Sequence, residues 1–549
     1  MSLRSSLCLF LALLMAVLIP LGCRRDRTGG PFVIALGDNI RTLDPIGSPS
    51  VDAASERVRT LMFNSLVRKN EKFDYVGELA SDIKRSDDDL TFTFTLRDGV
   101  KFHDGRPFTS ADAKYTLDLV FSSSFAKSAS FYKGTGEARK SYIKSVEAPD
   151  PKTLVVTTVE PWTGLLSNLV PVAIVPKDSY PKPANPADAA ERSTFDKAMS
   201  GLQVTPPPGT GAFKFVSYDS SQQVVDLQAN PEYWEGAAHL PAVRVRVVPD
   251  TNALQAELRS GRVDIAPLPT SLSPDAVKLL GEDPKLQVLR FPGSNVYVLT
   301  LNCSQPPLND ARVRQALAYA VNREGIIRDL LLGQDKIAHS ILPEESWAYT
   351  APIKYSFDPA QAKKLLDEAG LKDPDGDGPQ MRFAKPLVFK VSGSNAAGKN
   401  YAAVIQNDFK SIGVPMSIET AELNTLFDEL RRGNFQIFYG QWVGGNQDPI
   451  FFKDLFASSE IPTETRASRN RSRYSNKELD ALIDEAVNTF DREKAKALYA
   501  RIQEIVSRDL PVLPLWYQAN IVIAQKNVGN IKVDASGDWG FVKNLTIQK

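Results

Sequence analysis

The sequence predicts an α/β fold, and three observations carry that expectation. Period-2 apolar runs alternate with helical stripes along most of the chain, the pattern of strands and helices layered around shared cores. No internal repeat interrupts the alternation. Of the three cysteines, Cys8 falls in an N-terminal apolar run and Cys23 just behind it, so Cys303 has no partner. A chain of 549 residues built this way is held by core burial and not by internal disulfides.

The elements follow in order. Phe32–Leu36 reads as the first strand. Leu90, Phe92, Phe94 and Leu96 alternate with Thr91, Thr93 and Thr95, a half-buried strand. Asp98-Gly99 turns the chain, Val100 and Phe102 start a second strand, and Asp104-Gly105 turns it again. Ser110 then precedes an amphipathic helix marked by Tyr115, Leu117, Leu119 and Val120. The proline-rich stretch 176–186 is a surface loop. Pro206-Pro207-Pro208-Gly209 leads from a turn into a strand, and 251–266 reads as a helix, a turn at Gly261 and a short strand. Residues 296–302 are a strong strand candidate, followed by a helix pair closed by Gly333. Asp358 caps a helix with Pro359 in its first turn, buries Leu365, Leu366 and Ala369, and stops at Gly370. Ser475 and Glu478 form a capping box before Leu479, Leu482, Ile483 and Val487. Asp491 starts the last long helix, and strands occupy 512–523.

The N-terminus carries an address. Arg4 precedes an apolar run over 7–21, then Gly22-Cys23 and the polar Arg24-Arg25-Asp26-Arg27. A membrane span needs about 20 apolar residues, so the run has the layout of a signal peptide over 1–22. The Gly-Cys pair resembles a bacterial lipobox, with Pro20 and Leu21 departing from its usual residues. That resemblance implies lipidation of Cys23 and a membrane anchor; an ordinary signal with a stray cysteine is the alternative. Lys and Arg balance Asp and Glu, which removes the electrostatic case for nucleic acid or a basic membrane-binding face. His103, His239 and His339 are too scattered for a His/Cys metal centre, and nothing in the residues calls for a cofactor.

Three motifs are decoys. Residues 393–399 (GSNAAGK) match most of a phosphate loop, but Asn400 stands where Mg²⁺ binding needs Ser or Thr. Asp373, Asp375, Asp377 and Gly378 begin like a calcium loop, yet Ala384 replaces the closing Glu. Arg466, Arg469, Arg471 and Arg473 lack interleaved aromatics and read as a solvated loop.

The hairpin-to-helix stretch 79–121, with Leu43-Asp44-Pro45 and the NPEYWEG segment at 230–236, closely resembles the bacterial extracellular solute-binding protein family 5. These are the dipeptide-, oligopeptide- and nickel-type binding proteins of ABC importers. The resemblance runs from about Phe32 to the C-terminus and implies a type II periplasmic-binding-protein fold. Two α/β lobes are joined by crossover strands, with a domain inserted in the first. Lobe I would be 31–66, 203–295 and 515–549, the inserted domain 67–202, and lobe II 296–514. The ligand lies in the cleft, and the lobes close over it. The implied protein is a monomeric receptor, not an enzyme. It sits outside the cell membrane or on its periplasmic side, and passes a peptide or other small solute to a permease–ATPase complex.

The segment 438–449, FYGQWVGGNQDP, is the candidate site. An apolar strand ends in Trp442, and glycines free the backbone behind it. By itself this reads equally as a ligand wall with exposed amides or as a core tryptophan beside a tight turn. The resemblance implies that Trp442 walls a side-chain pocket and that Val443 and, from lobe I, Val51 touch ligand backbone by β-augmentation. Asp448 would supply a polar contact. The dipeptide-type pattern W-x-G-D-N-x-D-P is matched at Trp442, Gly444, Asn446, Asp448 and Pro449, but Gly445 replaces the Asp that grips the peptide α-ammonium. Either Asp448 takes over, or the ligand lacks a free amino terminus, as a blocked peptide, an oligosaccharide or a metal chelate would. A hydrolase is disfavoured, with no G-x-S-x-G and no H-E-x-x-H, although a carboxylate pair is open to it. A sensor or chaperone on the same fold is the other alternative.

Overall fold

The computed structural model describes residues 30–47, 52–122, 125–133, 139–181, 188–376, 378–444, 447–464, 466 and 468–548. The signal segment, Cys23, Val51, Asp377, Gly445 and Asn446 lie outside the described residues.

Three sheets organise the chain. The first has seven strands, in the order Phe213–Asp219, Val224–Ala229, Ala242–Val247, Phe32–Leu36, Ile265–Pro267, Asn520–Gln525 and Leu286–Phe291. Its central strand Phe32–Leu36 is buried at every residue, as befits a strand covered on both faces, and runs parallel to Ala242–Val247. The second has six strands, in the order Lys336–Ile337, Val512–Tyr517, Val296–Leu301, Ile437–Trp442, Leu387–Ser392 and Met416–Ala421. The third is antiparallel, with Ala80–Arg85, Thr91–Leu96, Thr153–Thr158 and Ile143–Asp150 in that order. In Thr91–Leu96 the residues Phe92, Phe94 and Leu96 are buried while the threonines face outward, the alternation legible in the sequence. The third sheet shares one continuous apolar core with the first, through Phe94 and Leu154 on one side and Ile34 and Phe213 on the other.

The chain crosses between the seven- and six-stranded sheets twice, at 292–295 and after Tyr517. The crossings run side by side: the Gln518 amide donates to Asn295 O at 2.8 Å and the Asn520 side chain to Pro292 O at 2.9 Å. They approach so closely that a Cβ on Gly293 would sit 1.8 Å from Gln518 O, which only glycine avoids. Val512–Tyr517 belongs wholly to the six-stranded sheet, so the boundary expected at 515 falls inside a strand.

Two local expectations are corrected. Val100 and Phe102 do not start a strand: the segment makes one isolated bridge, Lys101 to Pro107, because the Asp104-Gly105 turn folds it back at once. The partners of Thr91–Leu96 are instead Ala80–Arg85 and Thr153–Thr158. Asn476, not Ser475, caps the helix Lys477–Ala486, accepting from Glu478 N and Leu479 N; Ser475 bonds Ser458.

His103 staples its loop to the 206–211 turn. Its amide donates to Gly209 O at 2.8 Å, its Nδ1 accepts from Gly209 N at 3.3 Å, and Nε2 lies 3.0 Å from Gly211 O. This pattern needs the neutral Nε2–H tautomer, and burial pushes the imidazole down from 6.5 to about 4. The unfolded chain therefore binds a proton that the folded chain refuses. The neutral-histidine contribution is complete above pH 6.5 and falls away as the pH drops towards 4. His339 carries the same sign, also at about 4. Urea midpoints followed from pH 7 to pH 4 should fall, and His103→Gln should remove about 2 kcal/mol of that fall. An unchanged slope in the variant would refute the assignment.

Candidate ligand-binding site

The strand Ile437–Trp442 lies antiparallel to Val296–Leu301, with Trp442 opposite Val296 and Phe438 opposite Thr300. On its other side it runs parallel to Leu387–Ser392 but pairs only at Ile437 and Phe438. Beyond that point the parallel strands part. Their C-terminal ends open a cavity of about 320 Å³, at the place where open α/β sheets bind ligands. Phe438 and Trp442 form one wall, and Leu426 and Phe427 of the helix Leu423–Arg432 form another. Asn395, the N-cap of the helix Ala396–Ser411, contributes a polar edge. A second cavity, beside Arg323 and His339, measures about 20 Å³ and has room for little more than a water.

Trp442 is half-buried and meets Phe451 edge-on, with centroids 5.3 Å apart. Arg471 enters from the 466–473 segment, its Cζ 5.1 Å from the Trp442 ring centroid and 4.8 Å from that of Phe427. Burial, with Arg469 beside it, pushes the guanidinium down to about 10. Tyr439 is 3% exposed, and its hydroxyl has no hydrogen-bond partner among the described residues. Its ring stacks on Tyr297 at 5.5 Å, and burial raises its pKa. Nearby, Asp335 accepts from the Ala519 amide at the second crossing, 3.0 Å away, and burial pushes its carboxyl up to about 6.

Trp442 therefore lines the cavity. Val443 lies just past the paired part of the strand, 60% exposed, with its side chain outside the cavity lining. Asp448, expected to be a ligand contact, has protein donors on both oxygens: the Tyr75 hydroxyl on Oδ2 and the Ile450 amide on Oδ1 at 2.9 Å. Beside it, Gln447 links Lys69 (2.8 Å) to Ser294 at the first crossing (2.9 Å). The 447–448 corner thus ties the six-stranded sheet's unit to the 67–77 hairpin.

The basic segment is not a solvated loop. Arg469 pairs with Asp454, Arg473 donates to Arg431 O at 2.7 Å, and Arg466 to Ile461 O at 3.1 Å. Sequence reading missed Arg471 and Asn395. Arg471 was hidden among other arginines, and Asn395 inside the phosphate-loop decoy. At the aspartate-rich turn, Asp375 accepts from Gln380 N at 3.1 Å, and no group of His, Cys, Asp or Glu among the described residues is arranged to hold a metal ion. Cys303 is a half-buried thiol that desolvation pushes up to about 11, its Sγ 3.5 Å from Leu301 O. No described helix is long and apolar enough to cross a membrane.

Residues 74–463 match the family model of bacterial extracellular solute-binding proteins, family 5 Middle. The chain is 31% identical over 485 residues to heme-binding protein A of Haemophilus influenzae, covering 86% of this chain and 83% of that protein. It is 28% identical over 509 residues to the oligopeptide-binding protein AppA of Bacillus subtilis, covering 91% and 89%. Among solved structures, the ABC transporter-associated periplasmic binding protein DppA of Helicobacter pylori, in complex with the peptide STSA, superposes with a TM-score of 0.69. It is 26% identical, and the match covers 95% of this chain and 98% of that one.

Proposed function

The chain belongs to the bacterial extracellular solute-binding proteins of family 5, and from that membership we propose that it is the receptor of an ABC importer, capturing a peptide or peptide-sized solute between two lobes. The observation that carries this reading is the 320 Å³ cavity at the ends of the parallel strands, walled by Trp442. Gln441 reaches from the cavity strand to Gln518 of the second crossing at 2.7 Å, which couples an occupied pocket to the segment about which lobes would hinge.

Lobe I takes the seven-stranded sheet, the inserted domain 67–202 the four-stranded one, and lobe II the six-stranded one, with the second boundary moved to follow Tyr517. Trp442 is the pocket wall, the backbone at Val443 through Asn446 and at Val51 meets the ligand, and Asp448 serves the lobe II–insert contact. Binding is non-covalent and the protein is not an enzyme. Cys23 anchors the mature monomer by lipid, placing it at the periplasmic or outer face of a membrane. A non-peptide solute is the second reading, supported by the cavity lining, which among the described residues holds no carboxylate to meet a peptide ammonium.

Native mass spectrometry on residues 24–549 tests the proposal. A ladder of bound masses fitting peptides is the expected result. A single non-peptide adduct would transfer the assignment to the second reading, and turnover of a bound compound would overturn the receptor reading altogether.

A further inference from the structure

Resting on the reading that this cavity is the ligand pocket, we propose that Arg471 makes it specific for a single carboxylate carried on an apolar or aromatic body. Among the described residues, Arg471 is the one charged side chain lining the cavity. Its guanidinium lies between the Phe427 and Trp442 rings, and its side chain makes no hydrogen bond or ion pair among the described residues. A largely buried cation with neither carboxylate nor carbonyl partner carries a desolvation cost that an incoming anion removes. Ring contacts engage the flat faces of a guanidinium and leave its edge of N–H donors open, the edge that matches a carboxylate bidentately.

One cation matches a monoanion; a phosphate dianion would leave a charge uncompensated in an apolar cavity. Leu426, Phe427, Phe438 and Trp442 then receive the body that bears the carboxylate. This also explains how the site works without an acidic residue at position 445: its fixed charge is positive, so it selects the acid end of a ligand and not the amine end.

The test uses two pairs of probes, phenylacetate with phenylacetamide and Ala-Phe with Ala-Phe-amide, titrated by tryptophan fluorescence against the wild type and against Arg471→Gln and Arg471→Lys. Phenylacetate should bind at least about tenfold more tightly than its amide. Arg471→Gln should abolish that preference by weakening phenylacetate far more than its amide, and Arg471→Lys should keep part of it. An unchanged melting temperature shows that the variants are folded. The proposal is overturned if acid and amide bind alike, if phenylacetate fails to bind at millimolar concentration, or if the preference survives Arg471→Gln. If phenylacetate binds through Arg471 and neither dipeptide binds, the carboxylate site stands and the peptide reading falls. If the dipeptides bind without preference for the free acid, the peptide reading stands and the carboxylate site falls.

Discussion

Replacing Arg323 by alanine is expected to destabilise the protein by about 3–5 kcal/mol, the largest stability effect of any single substitution considered. Arg323 is 2% exposed and forms no salt bridge among the described residues. Its guanidinium instead donates to three carbonyls from three segments: Ala338 O and Pro514 O at 2.7 Å and Tyr355 O at 2.5 Å. It thereby fastens the short strand Lys336–Ile337 and the segment before the helix Pro359–Glu368 to the strand Val512–Tyr517. Burial pushes its pKa down to about 10, so it is still a cation at neutral pH. Alanine would leave three buried acceptors unsatisfied, each costing about 1–3 kcal/mol before relaxation, as well as a void. Arg323→Met refills the volume and isolates the hydrogen-bonding part. Urea unfolding of the three proteins measures both terms. A loss under about 1 kcal/mol in Arg323→Ala would show that water replaces the guanidinium without cost.

Trp442→Ala should weaken binding of the ligand recovered with the protein by about 2–4 kcal/mol, a loss of roughly 30- to 1,000-fold in affinity. Two effects combine. The indole face presented to the cavity is lost, and so is the ring over which Arg471 is held, so the guanidinium is freed to leave the pocket. Trp442→Phe keeps a ring against Phe451 and should fall between wild type and alanine. Because Trp442 is half-buried at a strand end, stability should change much less than affinity. Calorimetric titration beside thermal melts separates the two. Unchanged affinity in Trp442→Ala would remove this cavity from consideration as the ligand site.

Much of the fold was legible in local patterns. The Phe92-Phe94-Leu96 alternation, the Asp358-Pro359 helix start and the Gly333 and Gly370 stops are satisfied by neighbours a few residues away, so their physics is written in adjacent letters. Where two adjacent residues compete for one role, as Ser475 and Asn476 do for a cap, only the backbone angles decide, and Asn476 takes the extended conformation that a cap requires. Val100 and Phe102 had the apolar spacing of a strand, but the partners that Thr91–Leu96 needs come from 80–85 and 153–158, and local spacing does not carry that information.

By itself the sequence determined the α/β class, the family and the position of the candidate strand ending in Trp442. Tertiary structure alone decided what surrounds that tryptophan. Arg471 lies 29 positions further along the chain and Asn395 47 positions back, and they line one cavity with Trp442 only because the parallel strands separate beyond Phe438 and Arg471 packs over the Trp442 ring. Asp448 shows another side of this: its place in the motif suggests a ligand contact, and folding also brings it the Tyr75 hydroxyl, 373 residues away. The charge that a binding site presents is set by which side chains lack partners after folding, and that depends on long-range neighbours no local pattern encodes.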